Sequence, residues 1–395
     1  MKEISVVCIY YNHNYGSILQ SYALNHYLEK NGFKVNVIPF KDVPGKKEKI
    51  DVFLRLRLSK TFDLSIVKRK VAEYKNKKIY SGDDEEYKNG AELRNRTYER
   101  FIKTHFDVPE NDIVREQLPD YVSNSRAVIV GSDQLWTPHD ILIGYHTLEF
   151  VPAGIKRVSY ATSFGVSELP NRYLKKRAKK FLKDLDYISV REDKGKKIID
   201  ELEVGKKVSV VSDPTMLLSR SEWDEILPEE RIVKDKYIFC YFLGNNTEHR
   251  ELAKEFKKKT GWQIIALQHM DEYIQSDRDF ADKALYDIDP FQFAALIRDA
   301  ELVLTDSFHG SVFSILYHKK FFVMNRHKDA EVRSTNSRIE TLCSTFDLND
   351  RRICDFDNAA PETLLCREID YTTVDRKLEN KRRESETFLL NALED

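Results

Sequence analysis

A short, wholly apolar run that breaks into a polar turn and then a helix is the most restrictive pattern in this chain. It is clearest in residues 301–325, ELVLTDSFHGSVFSILYHKKFFVMN. Leu302-Val303-Leu304 has the unbroken apolar character of a parallel strand buried on both faces. Thr305-Asp306-Ser307-Phe308-His309-Gly310 interrupts it. Val312, Phe313, Ile315, Leu316 and Tyr317 then recur at helical spacing, and Phe321 to Met324 reads as a second strand. Strand, polar turn, helix, strand is the unit of an open α/β sheet. In such sheets ligands sit beyond the carboxyl ends of the strands, against helix N-termini. His309 is therefore expected at a site. Gly310 beside it lets backbone approach a ligand. The plainer alternative is a capped helix start with an ordinary hydrogen-bonded histidine.

The same rhythm runs through most of the chain. Ile4 to Tyr10 reads as a strand, followed by a polar loop, Tyr11 to Ser17. Ile18, Leu19, Tyr22, Ala23, Tyr27 and Leu28 recur at helical spacing up to Asn31-Gly32, a C-terminal stop. Phe33 to Pro39 completes a Rossmann-like β-loop-α-β. It lacks G-x-G-x-x-G, so a dinucleotide cofactor is not expected. Further strands are read at Ala127 to Val130, Arg157 to Ala161, Tyr187 to Val190 and Val208 to Val211, with a basic amphipathic helix over Pro170 to Leu185. A second set begins with a strand at Tyr237 to Leu243. It continues through a helix at Glu248 to Thr260, a strand at Gln263 to Ala266 and a helix at Pro290 to Ala300. Ser337 to Phe346 reads as a helix, and Asp370 to Leu393 as a long charged one.

A chain of 395 residues is too long for one ordinary core. The expected organisation is α/β: one Rossmann-like domain over 1–212 and a second over 213–369. A C-terminal helix, 370–395, is placed to pack back on the first domain. Residues 41–115 break the rhythm and read as a helical insertion. Between Lys46 and Lys78 twelve basic and four acidic residues leave a local +8, with apolar residues interleaved. Two readings stay open. One is a solvated insertion. The other is a patch for anionic membrane or a lipid-linked acceptor, holding the protein peripherally at the inner face of the membrane.

Composition excludes several classes. With 64 basic and 65 acidic residues, no polyelectrolyte partner such as nucleic acid is implied. The five cysteines are scattered without CxxC spacing, which suits a reducing cytoplasm better than a disulfide framework or a zinc site. Residues 1–10 lack a signal-peptide layout, and no run of about 18 apolar residues is present to span a membrane. His13, His105 and His139 show no metal-ligand spacing.

Candidate site residues fall at strand ends. Arg191, between a strand and a helix, can clamp a carboxylate or phosphate; the alternative is a salt bridge to Glu192 or Asp193. Asp133 in Gly131-Ser132-Asp133 reads as a base or sugar-hydroxyl acceptor, or as an Asx-turn organiser. Trp136 reads as a sugar platform or as core. Lys328, Arg333 and Arg338 follow the last core strand and are each either anion ligands or solvated charges.

Taken in order, these motifs resemble the polysaccharide pyruvyl transferase family. The resemblance rests on Asn14-Tyr15-Gly16-Ser17 with Gln20 and Ala23-Leu24, on Gly131-Ser132-Asp133-Gln134-Leu135-Trp136, and on Ile188-Ser189-Val190-Arg191-Glu192. Asp213-Pro214, Thr305 to Gly310 and Ser337-Arg338-Ile339 complete it. It implies a GT-B-like fold, two Rossmann-like domains facing a cleft. It implies phosphoenolpyruvate as donor, a sugar of a cell-surface glycan or its lipid-linked precursor as acceptor, and a pyruvate ketal as product, with no cofactor. It also implies functional roles at Arg191 and His309.

On this reading His309 and Asp133 are catalytic. Arg191, Ser307, Gly310, Arg338 and Lys328 bind the donor, and Asn14, Tyr15, Ser17 and Trp136 bind the acceptor. One departure stands out: many relatives carry Arg-Leu-His where this chain has Ser307-Phe308-His309. Arg338, Arg333 or Lys328 then has to supply the charge. The chemistry suits the inventory. The donor's phosphate and carboxylate want at least two cations, and ketal formation needs positioned proton transfer, for which a histidine is apt. A nucleotide-sugar glycosyltransferase and a non-catalytic glycan-precursor binding protein are the competing readings.

Overall fold

The computed structural model describes residues 2–41, 85–109, 112–268, 274–326, 337–356 and 359–394. They form two six-stranded, all-parallel sheets. The first contains β1 (Lys2–Val7), β2 (Phe33–Val37), β3 (Ala127–Val130), β4 (Lys156–Thr162), β5 (Tyr187–Val190) and β6 (Val208–Val210), in the order β2-β1-β3-β4-β5-β6. The second contains β7 (Tyr237–Tyr241), β8 (Gln263–Leu267), β9 (Lys283–Leu285), β10 (Leu302–Thr305), β11 (Lys320–Met324) and β12 (Arg352–Ile353), in the order β12-β11-β10-β7-β8-β9. The central strands AVIV, YIFCY and LVLT are buried along their whole length. That is the expected state of parallel strands with helices on both faces. The molecule thus consists of two Rossmann-like domains.

Among the longer helices are α1 (Tyr15–Lys30), α2 (Glu85–His105), α3 (Arg172–Asp184), α4 (Asp193–Glu201), α5 (Thr247–Thr260), α6 (Pro290–Asp299), α7 (Phe308–Leu316), α8 (Ser337–Thr345) and α9 (Tyr371–Glu394). Their starts are written in short polar side chains. Asn14, Asn171, Asn246, Asp289 and Ser307 each accept a hydrogen bond from a first-turn amide. At α6 the cap is a full capping box, with Pro290 at the first helical position. Gly261 ends α5 at φ 72°, in the left-handed region.

Each sheet reverses its winding once. In the first, strand order turns between β1 and β3; in the second, between β7 and β10. Carboxyl ends of strands at such switch points diverge and leave a crevice. The loops after β1, β3, β7 and β10 therefore mark where a site has to lie.

One apolar core runs from the first domain into the second. Tyr15 of α1 stacks on Phe293 of α6, with ring centroids 4.8 Å apart and planes at 4°. Gly90 of α2 leaves room for the ring of Tyr286; a Cβ there would lie 2.4 Å from it. Helix α9 returns to the first domain. Lys381 donates to the Val210 carbonyl at 2.7 Å, Arg382 to that of Met216 at 2.8 Å, and the Ser212 amide donates to Ser385 Oγ at 2.9 Å. Of the expected insertion, α2 is helical. The basic stretch from Lys46 to Lys78 lies outside the described residues. No described helix is long and apolar enough to cross a membrane.

Candidate active site

The loops at both switch points converge on a cleft of about 320 Å³. Asn12, Asn14, Ser17, Asp133 and Gln134 line it from the first domain; Leu243, Ser307, Phe308, His309, Arg326 and Arg338 line it from the second.

His309 is the second residue of α7, and Ser307 caps that helix by accepting from Gly310 N at 3.3 Å. The imidazole is 7% exposed, with Nε2 3.4 Å from Asp213 Oδ2. Nδ1 faces Gly16 of α1, where a Cβ would lie 2.0 Å from it. Only glycine lets the ring occupy that position. Asp213, immediately after the end of the first sheet, is fully buried. Its Oδ1 accepts from the Thr215 amide at 3.1 Å and hydroxyl at 2.7 Å; its Oδ2 accepts from Ser132 Oγ at 3.0 Å and Arg191 Nη1 at 2.8 Å. Burial works against its charge, but His309, Arg191 and Thr215 outweigh it and hold the carboxyl far below the ordinary range. A permanently ionised aspartate thus faces His309 Nε2. The other ring nitrogen, Nδ1, is the one turned toward α1.

Arg191 does not line this cleft. Its side chain is 1% exposed and lies behind the wall, paired with Asp213 and 3.6 Å from Asp133 Oδ1. It lines a smaller adjoining pocket with Phe308 and Arg338, and two carboxylates share its charge. Neither is Glu192 or Asp193. Adjacent strand ends bring Asp213 alongside instead, because β5 pairs with β6. The Arg191 guanidinium also lies over the Phe308 ring, 4.6 Å from its centroid.

Arg338 of α8 does line the cleft. It is 8% exposed, and among the described residues no carboxylate lies within 4.0 Å of it. Its partner is the Gln134 amide, which with its oxygen turned inward accepts from Nη2 at 2.5 Å and Nη1 at 3.2 Å. Nε has no partner. Burial and the like charge of Arg191 push it down to about 9, still charged at neutral pH. Asp133 and Glu192 offset part of its charge from farther off, and a buried guanidinium held mainly by an amide is suited to meeting an anion.

Asp133 sits at φ 83°, a left-handed conformation unusual for a residue other than glycine. Backbone bonds to its carbonyl from Leu135 N and Ser163 N, both 2.9 Å, fix it. Its carboxylate accepts from Ser17 Oγ and from Gln134 N at 2.9 Å. Burial opposes its ionisation, but Arg191, His309, Arg338 and Ser17 hold it below the ordinary range. Strained backbone of this kind is commonly found at functional sites.

Two acceptor assignments fail. Trp136 is 0% exposed, packed against Phe164 and Phe181, and its indole N–H donates to the His146 carbonyl at 3.0 Å. Tyr15 is buried between the domains against Phe293 and Tyr98. Gly310 answers to packing rather than to a ligand: a Cβ there would lie 2.6 Å from Thr305 Oγ1. Lys328 and Arg333 lie outside the described residues. Asp213, as the partner of His309, and Arg326 were missed by sequence reasoning. Both stand at strand ends, which is the signal that marks them.

Two Rossmann-like domains around an interdomain cleft at their switch points define the GT-B class. Among solved structures a UDP-N-acetylglucosamine 2-epimerase matches with TM-score 0.52 at 13% identity, over 99% of this chain and 96% of its own. The Neisseria meningitidis UDP-GlcNAc 2-epimerase bound to UDP-GlcNAc gives 0.47 at 13%, over 98% and 100%. The glycosyltransferase SnogD from Streptomyces nogalater gives 0.39 at 11%, over 98% and 95%. At 13% identity the first of these likenesses concerns the fold alone. The polysaccharide pyruvyl transferase family model matches residues 14–328, and the chain belongs to that family. No curated protein matches it significantly in sequence.

Proposed function

We propose that this protein transfers the pyruvyl group of phosphoenolpyruvate to two hydroxyls of one sugar, in a cell-surface glycan or its lipid-linked precursor. The observation that carries the reading is His309, 3.4 Å from the Asp213 carboxylate, in one cleft with Arg338, a buried guanidinium held mainly by the Gln134 amide. Arg338 meets one anionic group of the donor. A proton delivered to the methylene carbon makes the neighbouring carbon cationic, and a sugar hydroxyl adds there with loss of its proton. The C–O bond to phosphate then breaks. The second hydroxyl closes the ketal and releases a second proton. His309 Nδ1 is the group that carries protons in this sequence, a role typically contributing about 10²- to 10⁴-fold. Asp133 and Ser17 face the acceptor hydroxyls.

The experiment is ligand-dependent thermal stabilisation. A ligand that binds only the native state raises the unfolding midpoint. Phosphoenolpyruvate is expected to raise it. A nucleotide sugar that raises it while phosphoenolpyruvate does not would favour a glycosyltransferase.

A further inference from the structure

Arg326 belongs to none of the motifs that suggested the family. It follows β11, yet its side chain turns back over the end of β7. A Cβ on Gly244 would lie 2.9 Å from Arg326 Cγ and 3.0 Å from Asp306 Oδ2. The absence of a side chain at Gly244 is thus what lets Arg326 cross. Asp306, fully buried at the end of β10, is committed elsewhere. Its Oδ1 accepts from Leu243 N at 2.6 Å and its Oδ2 from Gly244 N at 2.8 Å, stapling β7 to β10 at the switch point. Arg326 receives what is left: Nη2 donates to the Asp306 carbonyl at 3.2 Å, while Nε is 3.8 Å from the carboxylate and has no hydrogen bond among the described residues. His249, behind Asp306, is pushed down to about 4 by burial and is neutral at pH 7.

The cleft therefore holds a second guanidinium whose charge is only partly compensated. Arg326 and Arg338 both line it, and they are close enough that Arg326 is among the charges that depress Arg338. Two like charges facing one small cleft repel each other until an anion lies between them.

We propose that Arg326 is the second donor-binding cation, forming with Arg338 a clamp for a small molecule carrying two anionic groups, and that Gly244 and Asp306 position it. The assignment rests on the reading of phosphoenolpyruvate as donor. It places the required charge on β11, in a chain whose Ser307 cannot supply it.

Calorimetric titration tests this with phosphoenolpyruvate, inorganic phosphate and pyruvate as probes. Wild type is expected to bind phosphoenolpyruvate more tightly than either fragment. Arg326→Ala is expected to bind it about 10- to 100-fold more weakly, the worth of one charged hydrogen-bonding group. Gly244→Ala keeps every charge but displaces Arg326 and is expected to lose part of the same affinity. Ser307 lines the same cleft, so Ser307→Arg in the Arg326→Ala background is expected to restore binding, which a merely misfolded variant cannot do. Equal affinity of wild type and a folded Arg326→Ala protein overturns the assignment and leaves the donor reading intact. No binding of phosphoenolpyruvate by wild type overturns both.

Discussion

At the scale of single residues, the site is governed by who already has a partner. Arg191 is the more obvious arginine in the sequence, yet its charge is spent on Asp213 and Asp133. Arg338, in the cleft, is held by the Gln134 amide instead. The position of His309 depends on a hydrogen at Gly16. In Gly16→Ala the new methyl meets the imidazole, while alanine itself suits the first turn of α1. That variant is expected to fold and to lose about 10²-fold or more in turnover, since roughly 1 Å of misplacement costs that much. A folded Gly16→Ala enzyme at wild-type rate would show that His309 position is immaterial. Asp213 makes a pH prediction. Its carboxyl is depressed in the folded state, so its contribution to stability is complete above the ordinary aspartate value of about 3.9 and is lost as pH falls below it. Asp213→Asn removes the charge and leaves Arg191 underpaired, at a cost of about 3–5 kcal/mol near pH 7. The gap between wild type and variant in urea unfolding is expected to narrow from pH 4 downward. A gap constant with pH would contradict the ionised aspartate.

At the scale of elements, sequence and structure agree where burial is two-sided. Ala127 to Val130 and Tyr187 to Val190 are legible to the residue, because a strand between two helical layers is mostly apolar; the buried Ser189 is accommodated by donating to the Ser159 carbonyl. Edge strands β9 and β12, three and two residues long, carry too little pattern to be read. Side-chain direction was the other loss. Trp136 and Tyr15 stand beside polar turns, and nothing in their spacing tells whether the ring faces the cleft or the core. The Asp213–His309 pair joins the end of the first sheet to a helix of the second, so its geometry exists only once both sheets are in place. Helix α9 bonds to the end of the first sheet and carries its own prediction. Ser385→Val leaves the buried Ser212 amide without an acceptor. Its expected cost in denaturant unfolding is about 1–3 kcal/mol, with turnover unchanged. No loss of stability would mean that α9 is not what holds the end of β6.

At the scale of the whole molecule, the two domains share one apolar core through Tyr15, Phe293 and their neighbours. Domains joined by a large apolar interface unfold together, whereas polar interfaces allow separate transitions. Thermal unfolding is therefore expected as one transition, with calorimetric and van't Hoff enthalpies in agreement. Two resolved transitions would show that the cleft is bounded by independently stable halves. A shared core also explains how a site can be assembled from the loops and helix starts of two sheets. Asp133 and Ser17 on one side and His309, Arg326 and Arg338 on the other keep their register because α1 and α6 pack between them.

The central claim is pyruvyl transfer from phosphoenolpyruvate with proton delivery to its methylene carbon. Turnover in heavy water, with a panel of sugar acceptors and mass-spectrometric readout, tests it most directly. The predicted product has gained pyruvic acid less one water, with one deuterium in the ketal methyl group. A product with an undeuterated methyl group, or an acceptor that gains a phosphate or a sugar instead, would contradict it.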